Sequence, residues 1–556
     1  MKQLIECVPN FSEGNDMAII KQITDEMESV DGVKLLDVDP GKATNRTVVT
    51  IVGEPEPVIN AAFLAIKKAK ELIDMSKHKG EHPRMGATDV CPLVPVANIS
   101  MEETVKYAHK LSKRIGEELN FPVYNYEFAA STPERRNLAY VRSGEYEALS
   151  EKLQKDEWKP DFGPAIFDAQ AGATCISARN FLVAYNFNLN TTSTRRANAI
   201  AFDVREAGRI KQENGKAVLD KDGKKVRVPG TLKSTKAIGW FIEEYGVAQI
   251  SMNLTDITIT SIHEAFDEVE RAARERGIRV TGSELVGLVP KQALIDAAKH
   301  YLRKQQRSVG IDEKELIKIA VKSLGLDELK PFKPEERIIE YLLETGANKP
   351  LVKMTLSDFA DETASESPAP GGGSISAYMG ALGISLATMV ANLSSHKRGW
   401  DDKWELFSEI AEEGQILKEK LINMVDEDTN AFNKIMDAFS LAKSSDAEKQ
   451  IRQNAIQSAT LYATKVPLEV MKLAFESMTP IRKMVEIGNP NSVTDAGVGA
   501  LAARSAIVGA YLNVKINASG LKDKVIAQQI LDQGQQIEEK AIALESEIIE
   551  IVNSKI

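Results

Sequence analysis

The chain has 556 residues, 43% of them hydrophobic and 27% charged, which at roughly 150 residues per domain implies three or four folding units and excludes a largely disordered chain. Its 70 Lys and Arg against 80 Asp and Glu give a net charge of −10, so binding to a nucleic-acid backbone is not expected. Cys7, Cys91 and Cys175 fit neither a disulfide framework nor a paired metal motif; with an N-terminus lacking the apolar core of a signal peptide, this reads as a cytoplasmic protein.

In chain order, LIECVPNF (residues 4–11) reads as a strand and is followed by a helix with Ile20, Ile23 and Met27 on one side. VKLLDVD (33–39) and TVVTIVG (47–53) read as two strands, a second helix carries Ile59, Phe63, Ile66 and Ile73, and PLVPV (92–96) closes the set. The order is that of the split βαβ, ferredoxin-like plan. The same plan recurs in strand FLVAYNFNLN (181–190), a helix over 194–207, strands KAIGWFIEE (236–244) and VAQISMNLTD (247–256), helix SIHEAFDEVERAARERG (261–277) and strand IRVTGSELVG (278–287). We therefore expect two α/β subdomains, 1–178 and 179–326, then a Pro-containing linker at 327–350 and an all-helical bundle domain at 351–556.

SISAYMGALGISLATMVANLS (374–394) is long enough to cross a bilayer, but its serines, Thr and Asn favour a buried helix, and no second span of similar purity is expected. No membrane partner is read. Two strands carry an amide-rich face: Asn186, Asn188 and Asn190 in the first, Gln249, Ser251 and Asn253 in the second. Either this face meets water or its amides line a cleft that hydrogen-bonds them.

KHKGEHPRMGATDV (77–90) concentrates polar groups in a stretch that Gly80, Pro83 and Gly86 make a loop. His78 and His82 have the spacing of zinc ligands on a helix, but glycine and proline oppose a helix and no third ligand follows, so no metal is read. The loop is either solvated or displays an imidazole that exchanges protons near neutrality beside cations suited to carboxylates. Further along, Leu421, Val425, Asp428, Phe432, Ile435 and Phe439 follow the spacing of a core-facing helix stripe. Asp428 interrupts it, while Asp426, about 160° around the helix, falls on the wet side. A carboxyl in an apolar seam is costly to ionise and suits a general acid; a buried Asp bonded to a neighbouring helix is the other reading. Gly371, Gly372, Gly373 and Ser374, within PAPGGGS, precede a helix, as an anion site or a plain cap.

The segments ECVPNFSEG, DVDPGKATNRTVVTIVG, KGEHPRMGATDVCPLVPV, GWFIEEYGVAQISMNLTD and GSELVGLVP closely resemble the glutamate formimidoyltransferase family, and SESPAPGGGS and VDEDTNAF resemble the formimidoyltetrahydrofolate cyclodeaminases. Together they resemble the bifunctional family in its domain order. That resemblance implies transfer of a formimidoyl group between N-formimidoyl-L-glutamate and tetrahydrofolate, then cyclisation to 5,10-methenyltetrahydrofolate with loss of ammonia, as in histidine degradation.

It also implies His82 as the transferase acid/base and Asp428, the second Asp of its motif, as the cyclodeaminase acid. The family's folate-contacting segment falls on Gly163, Pro164, Ala165, Ile166, Phe167, Asp168, Ala169, Gln170, Ala171 and Gly172. Asp39, Asn45, Arg46 and Arg84 are further binders on this reading, with a structural turn salt bridge the alternative for Asp39 and Arg46. A folate carboxylate or polyglutamate tail is expected at Gly371–Ser374, the pocket being completed by Asn489, Asn491 and Asp495. Tetrahydrofolate acts as the carrier substrate with no metal, and the resemblance implies a homo-oligomer that dimerises through the helical domain. Activity in one domain alone, formyl in place of formimidoyl transfer, and a folate-binding scaffold remain the alternatives.

Overall fold

Pro9 has no N–H to give to a sheet, and there the first strand divides into Leu4–Cys7 and Asn10–Phe11. The computed structural model describes residues 3–556 except 43, 81, 82, 214, 222 and 345–349. Both halves of that strand pair antiparallel with Arg46–Gly53 on one side and Thr88–Ala97 on the other. Val33–Gly41 extends the sheet beyond Arg46–Gly53. Beyond Thr88–Ala97 lie two parallel strands, Thr174–Ala178 and then Val123–Glu127. This pair is absent from the sequence-based expectation for a physical reason: TCISA is buried throughout and VYNYE nearly so, so neither shows the alternation of a half-exposed strand.

The helices Met17–Glu28 and Pro55–Leu72 pack on one face, where Ile23, Met27, Ile59, Phe63 and Ile66 meet Ile5, Cys7, Ile51 and Leu93. Asp16 caps the first helix by accepting from the amides of Ala18 and Ile19. The opposite side of the central strand carries Glu6, only 5% exposed between Val52 and Val94. Burial pushes its carboxyl up to about 7, against the pull of Arg179 and with help from Glu340. Because the folded value lies above the unfolded one, Glu6 lets stability fall as pH rises from about 4.5 to about 7 and leaves the full penalty above that window. Glu6→Gln is therefore expected to raise stability at pH 8 by about 3 kcal/mol and to flatten the Tm profile between those pH values. Calorimetric melts across pH check this, and an unchanged profile overturns it.

The second sheet has the order Thr235–Ile242, Val247–Leu254, Val183–Leu189, Val280–Val286, all antiparallel. Thr194–Val204 and Ile262–Arg274 are its helices; Ala265, Val269 and Ala273 point inward. Its amide-rich face is wet at Asn190 and Asn253, but Asn186, Asn188 and Gln249 are buried. Gln249 donates to Asn188 Oδ1 (2.7 Å), Asn188 donates to Glu328 (2.6 Å), and Trp240 Nε1 donates to Gln249 (3.2 Å). Glu328 lies on a segment that crosses Gly282 so closely that a Cβ there would stand 2.6 Å from both Glu328 Cβ and the Gly325 carbonyl oxygen.

The chain forms two compact units, residues 1–293 with 324–345, and residues 294–323 with 346–556. The first is a mixed-sheet α/β region. The stretch expected as a linker contains Pro334–Arg337 and Ile339–Glu344 and belongs in part to this unit. Val289 N–H donates to Arg337 O (2.9 Å), and Lys34 Nζ to Leu342 O.

The second unit is helical, built chiefly on Gly372–Ser395, Trp404–Ser440, Asp446–Ile487, Val493–Ser519 and Lys524–Lys555. Gly383 meets Gly499 backbone to backbone, a Cβ on either standing 2.8 Å from the other's carbonyl oxygen; this close antiparallel crossing is what the small residues permit. Contrary to the expectation of one such span, two stretches are long and apolar enough to cross a membrane, Gly372–Ser395 and Pro490–Ser519; half or more of each apolar window is buried within the protein.

Candidate functional site

The loop 77–90 is tied to the turn at Asn45, whose left-handed backbone (φ 46°) turns its groups outward. Asn45 Nδ2 donates to Lys79 O (2.9 Å), its Oδ1 accepts from Gly14 N–H (3.0 Å), and its carbonyl oxygen lies 2.9 Å from His78 Nε2. Gly80 is pressed against this turn; a Cβ there would come within 2.3 Å of Thr44 O. His82 lies outside the described residues. Its neighbour two places on, Arg84, is nearly buried and forms a fork with Glu147 (2.7 and 2.9 Å), reaches Glu145 (3.2 Å) and donates through Nε to His78 Nδ1 (3.2 Å). Glu147 beside it holds the Arg84 guanidinium above its usual range. The guanidinium expected to take a substrate carboxylate is thus engaged by the chain's own carboxylates, and it fixes the loop.

The segment 163–172 joins this loop. Gly172, in the left-handed region (φ 71°), bridges Gly86; Ala87 N–H donates to Ala171 O (2.8 Å) and Ala173 N–H to Met85 O (3.0 Å). A Cβ on Gly86 would come within 2.4 Å of the carbonyl oxygens of Ala171 and Ala173, so the loop's glycine serves this close approach. Asp168 pairs with Lys70 and accepts from the amides of Gln170 (3.0 Å) and Ala171 (2.9 Å). Burial pushes its carboxyl up, but these partners outweigh it and hold it below the ordinary value. Tyr146 donates to Ala169 O (2.5 Å) and lies 5.5 Å from the Phe167 ring, while Ile166 is exposed. Asp168 and Gln170, which reaches the carbonyls of Lys70 and Glu71, therefore shape the segment. Glu145, Tyr146, Glu147 and Lys70 were not expected from the sequence. Nothing local marks them, since their partners lie 23 to 98 residues away.

Asp39 and Arg46 do not form the turn salt bridge that was the alternative for them. Asp39 is exposed on the outer strand; Arg46 donates to Asn10 Oδ1, and burial pulls its guanidinium down to about 10, against the field of Asp89. Asp89 is buried and held by Arg142 (2.5 Å) and Met85 N–H (3.0 Å).

In the helical unit, the Asp428 carboxylate sits on the N-terminus of Gly372–Ser395. It accepts from Ser374 N–H (3.0 Å) and Oγ (3.3 Å) and lies so close to Gly373 that a Cβ there would be 2.1 Å from its Oδ1. The Ser374 amide, expected to meet a folate carboxylate, donates to the chain's own carboxyl. Burial raises the Asp428 carboxyl above its ordinary value, and Ser374 only partly opposes this.

The expected stripe around Asp428 needs two corrections. Asp426 is not on a wet side: it is buried and accepts from the amides of Leu351 (3.0 Å) and Val352 (3.4 Å), which cover that face. Phe432 and Phe439 are exposed, because past Asp428 the helix buries Ala431 against Ala463 and Val466 of the next helix, turning the stripe outward.

Nor do Asn489, Asn491 and Asp495 join Asp428 within the chain. Asn489 N–H donates to Ser394 Oγ (2.8 Å), and Asn491 N–H donates to Asn489 Oδ1 (3.3 Å). Ser394 lies at the opposite end of the helix from Gly372, about 33 Å away at 1.5 Å per residue. Asp495 is one turn beyond Gly499, toward that same end. Asn513 instead faces Gly372, where a Cβ would stand 3.2 Å from its Nδ2.

A family model described as the formiminotransferase domain, N-terminal subdomain, matches residues 4–179. The formiminotransferase domain matches 184–344, and formiminotransferase-cyclodeaminase matches 355–536. The chain is 43% identical over 530 residues to the mouse formimidoyltransferase-cyclodeaminase, covering 95% of each. It is 45% identical over 302 residues to the glutamate formimidoyltransferase of Thermoplasma acidophilum, across 54% of this chain and 92% of that one. It is also 36% identical over 202 residues to the methenyltetrahydrofolate cyclohydrolase of Methylorubrum extorquens, across 36% of this chain and 97% of that one. With matches running through both units and nearly end to end, the chain belongs to the formimidoyltransferase-cyclodeaminase family.

Proposed function

We propose that the first unit moves the formimidoyl group of N-formimidoyl-L-glutamate to N5 of tetrahydrofolate, and that the helical unit closes the product to 5,10-methenyltetrahydrofolate and releases ammonia. In the first step N5 attacks the formimidoyl carbon and loses its proton, and the glutamate nitrogen must gain one to leave. His82 serves both transfers in turn. The loop that carries it and the segment 163–172, which meets the folate, are held together by the Gly86–Gly172 contact.

In the second step N10 attacks the same carbon, and the imino nitrogen takes up two protons, the one N10 loses and one from the Asp428 carboxyl, before departing as ammonia and leaving the methenyl cation. The observation that carries this reading is the environment of Asp428: largely buried, shifted toward its protonated form, yet seated on a helix N-terminus that steadies the carboxylate once the proton has gone. Tetrahydrofolate is the carrier substrate of both steps. In this reading 1–178 and 179–326 are two transferase halves of ferredoxin-like plan, 327–350 links them to the cyclodeaminase at 351–556, and the protein works in the cytoplasm as a homo-oligomer.

The similarity of 202 residues of the chain to a methenyltetrahydrofolate cyclohydrolase supports a second reading, in which the helical unit handles water rather than the substrate's own amine. One assay separates them. Tetrahydrofolate and formimidoylglutamate given to the purified protein should build the methenyl absorbance with one ammonia per turnover. Loss of absorbance from supplied methenyltetrahydrofolate, without ammonia from the formimidoyl compound, overturns the first reading in favour of the second.

A further inference from the structure

Although the chain is acidic overall, residues 194–230 carry ten Lys and Arg against five Asp and Glu. Five of these cations, Arg195, Arg205, Arg209, Lys211 and Arg227, line a cavity of about 1120 Å³ beside the helix Thr194–Val204, with Phe202 among them. Asp203 pairs with Arg209, and Glu213 lies 2.9 Å from Lys211. The other three cations have no carboxylate partner among the described residues. Arg205 donates to the carbonyls of Gly208 (3.1 Å) and Ala237 (3.1 Å) and stacks 4.0 Å from the Phe202 ring; Arg227 donates to Ala207 O (3.2 Å). Burial and then the neighbouring Arg227 pull the Arg205 guanidinium down, the direction expected of a cation short of negative charge. Arg195 stands in the first turn of Thr194–Val204, where the helix dipole disfavours a cation.

We propose that this cavity is a binding site for a small, multiply charged anion, separate from both proton-donor sites. Three guanidiniums without carboxylates border one concave space, Arg205 held by two backbone carbonyls and Arg195 and Arg227 exposed, and their planar forks suit phosphate or carboxylate oxygens in pairs. A single acetate-like charge leaves two of them uncompensated, which selects an anion with several charged groups. In a net-acidic chain, five cations around one concave space, rather than a long basic stripe, select a small ligand over a nucleic acid. Oligophosphates and tricarboxylates share this chemistry.

Titration calorimetry of the full-length protein with tripolyphosphate and, separately, citrate at physiological ionic strength tests the site. We expect saturable binding, one anion per chain, to at least one of them; the one that binds identifies the source chemistry. Arg195→Gln with Arg227→Gln should weaken it about tenfold or more, while transfer and cyclisation measured without added anion stay at wild-type rates. Arg227→Lys, which keeps the charge but not the fork, should fall between, and the bound anion should raise Tm in the wild type more than in the double variant. Absence of saturable binding to both probes at millimolar concentration overturns the proposal, as does undiminished binding by a folded double variant.

Discussion

Asp428→Asn lowers cyclisation of 5-formimidoyltetrahydrofolate by about 10²- to 10⁴-fold and leaves formimidoyl transfer at its wild-type rate. Asparagine keeps an oxygen to accept from Ser374 N–H, so the helix end stays satisfied and the fold is retained; what is lost is the transferable proton. The same geometry sets the sign of the pH dependence. Burial raises the carboxyl, so its acid form persists to higher pH than that of an ordinary aspartate, and cyclisation declines as pH rises through the raised value. Stability follows the same direction: above the ordinary value of 3.8 the unfolded chain has given up this proton while the folded one keeps it, so Asp428 favours folding less and less until its folded value is passed.

Ser374 is the positioning residue for this group. Ser374→Ala removes one donor to the carboxylate and should move the falling limb of the rate profile to higher pH. Methenyl absorbance and ammonia release, recorded from supplied 5-formimidoyltetrahydrofolate across pH, measure all of this. An Asn variant that cyclises at the wild-type rate removes Asp428 from the mechanism.

His82→Ala is expected to do the reverse, reducing transfer by about 10²- to 10⁴-fold while supplied 5-formimidoyltetrahydrofolate is still cyclised at the normal rate. The basis is the chemistry of a group that must take a proton from one nitrogen and give one to another near neutrality, together with the setting of its chain neighbours. Gly80 lies against the Asn45 turn, Arg84 is forked to Glu147, and Gly86 is joined to Gly172 of the segment assigned to folate. His78 is the control. Its two ring nitrogens already face Asn45 O and Arg84 Nε, so His78→Ala should act on loop stability and substrate affinity, with a smaller loss in the transfer rate at saturation. If either Asp428→Asn or His82→Ala removes both activities from a folded protein, the assignment of one reaction to each unit is wrong.

The helix faces and the chain order of most strands in the α/β region were legible because they are local. Ile20, Ile23 and Met27 repeat at helical spacing, and the strands flanking those helices are short apolar runs bounded by turn residues. The motif around Asp428 was legible for the same reason: it is contiguous. Less local features were read poorly. The fully buried parallel strands Val123–Glu127 and Thr174–Ala178 carry no alternation to recognise, and the outward turn of Phe432 depends on which helix lies opposite, which no spacing reports.

By itself, the amino-acid sequence determined the kind of elements, their order, and the identity of the residues offered to chemistry, since each is set by neighbours within a few turns or one pleat. Only the tertiary structure decided which of those residues are already spoken for. Arg84 is engaged by carboxylates 61 and 63 residues away, Asp428 accepts from Ser374 across 54 residues, and Asn489 lies at the far end of the helix that Asp428 caps. Charge pairing and burial act through space, and the free energy that raises the Asp428 carboxyl or closes a fork on Arg84 exists only once distant segments have displaced the water between them.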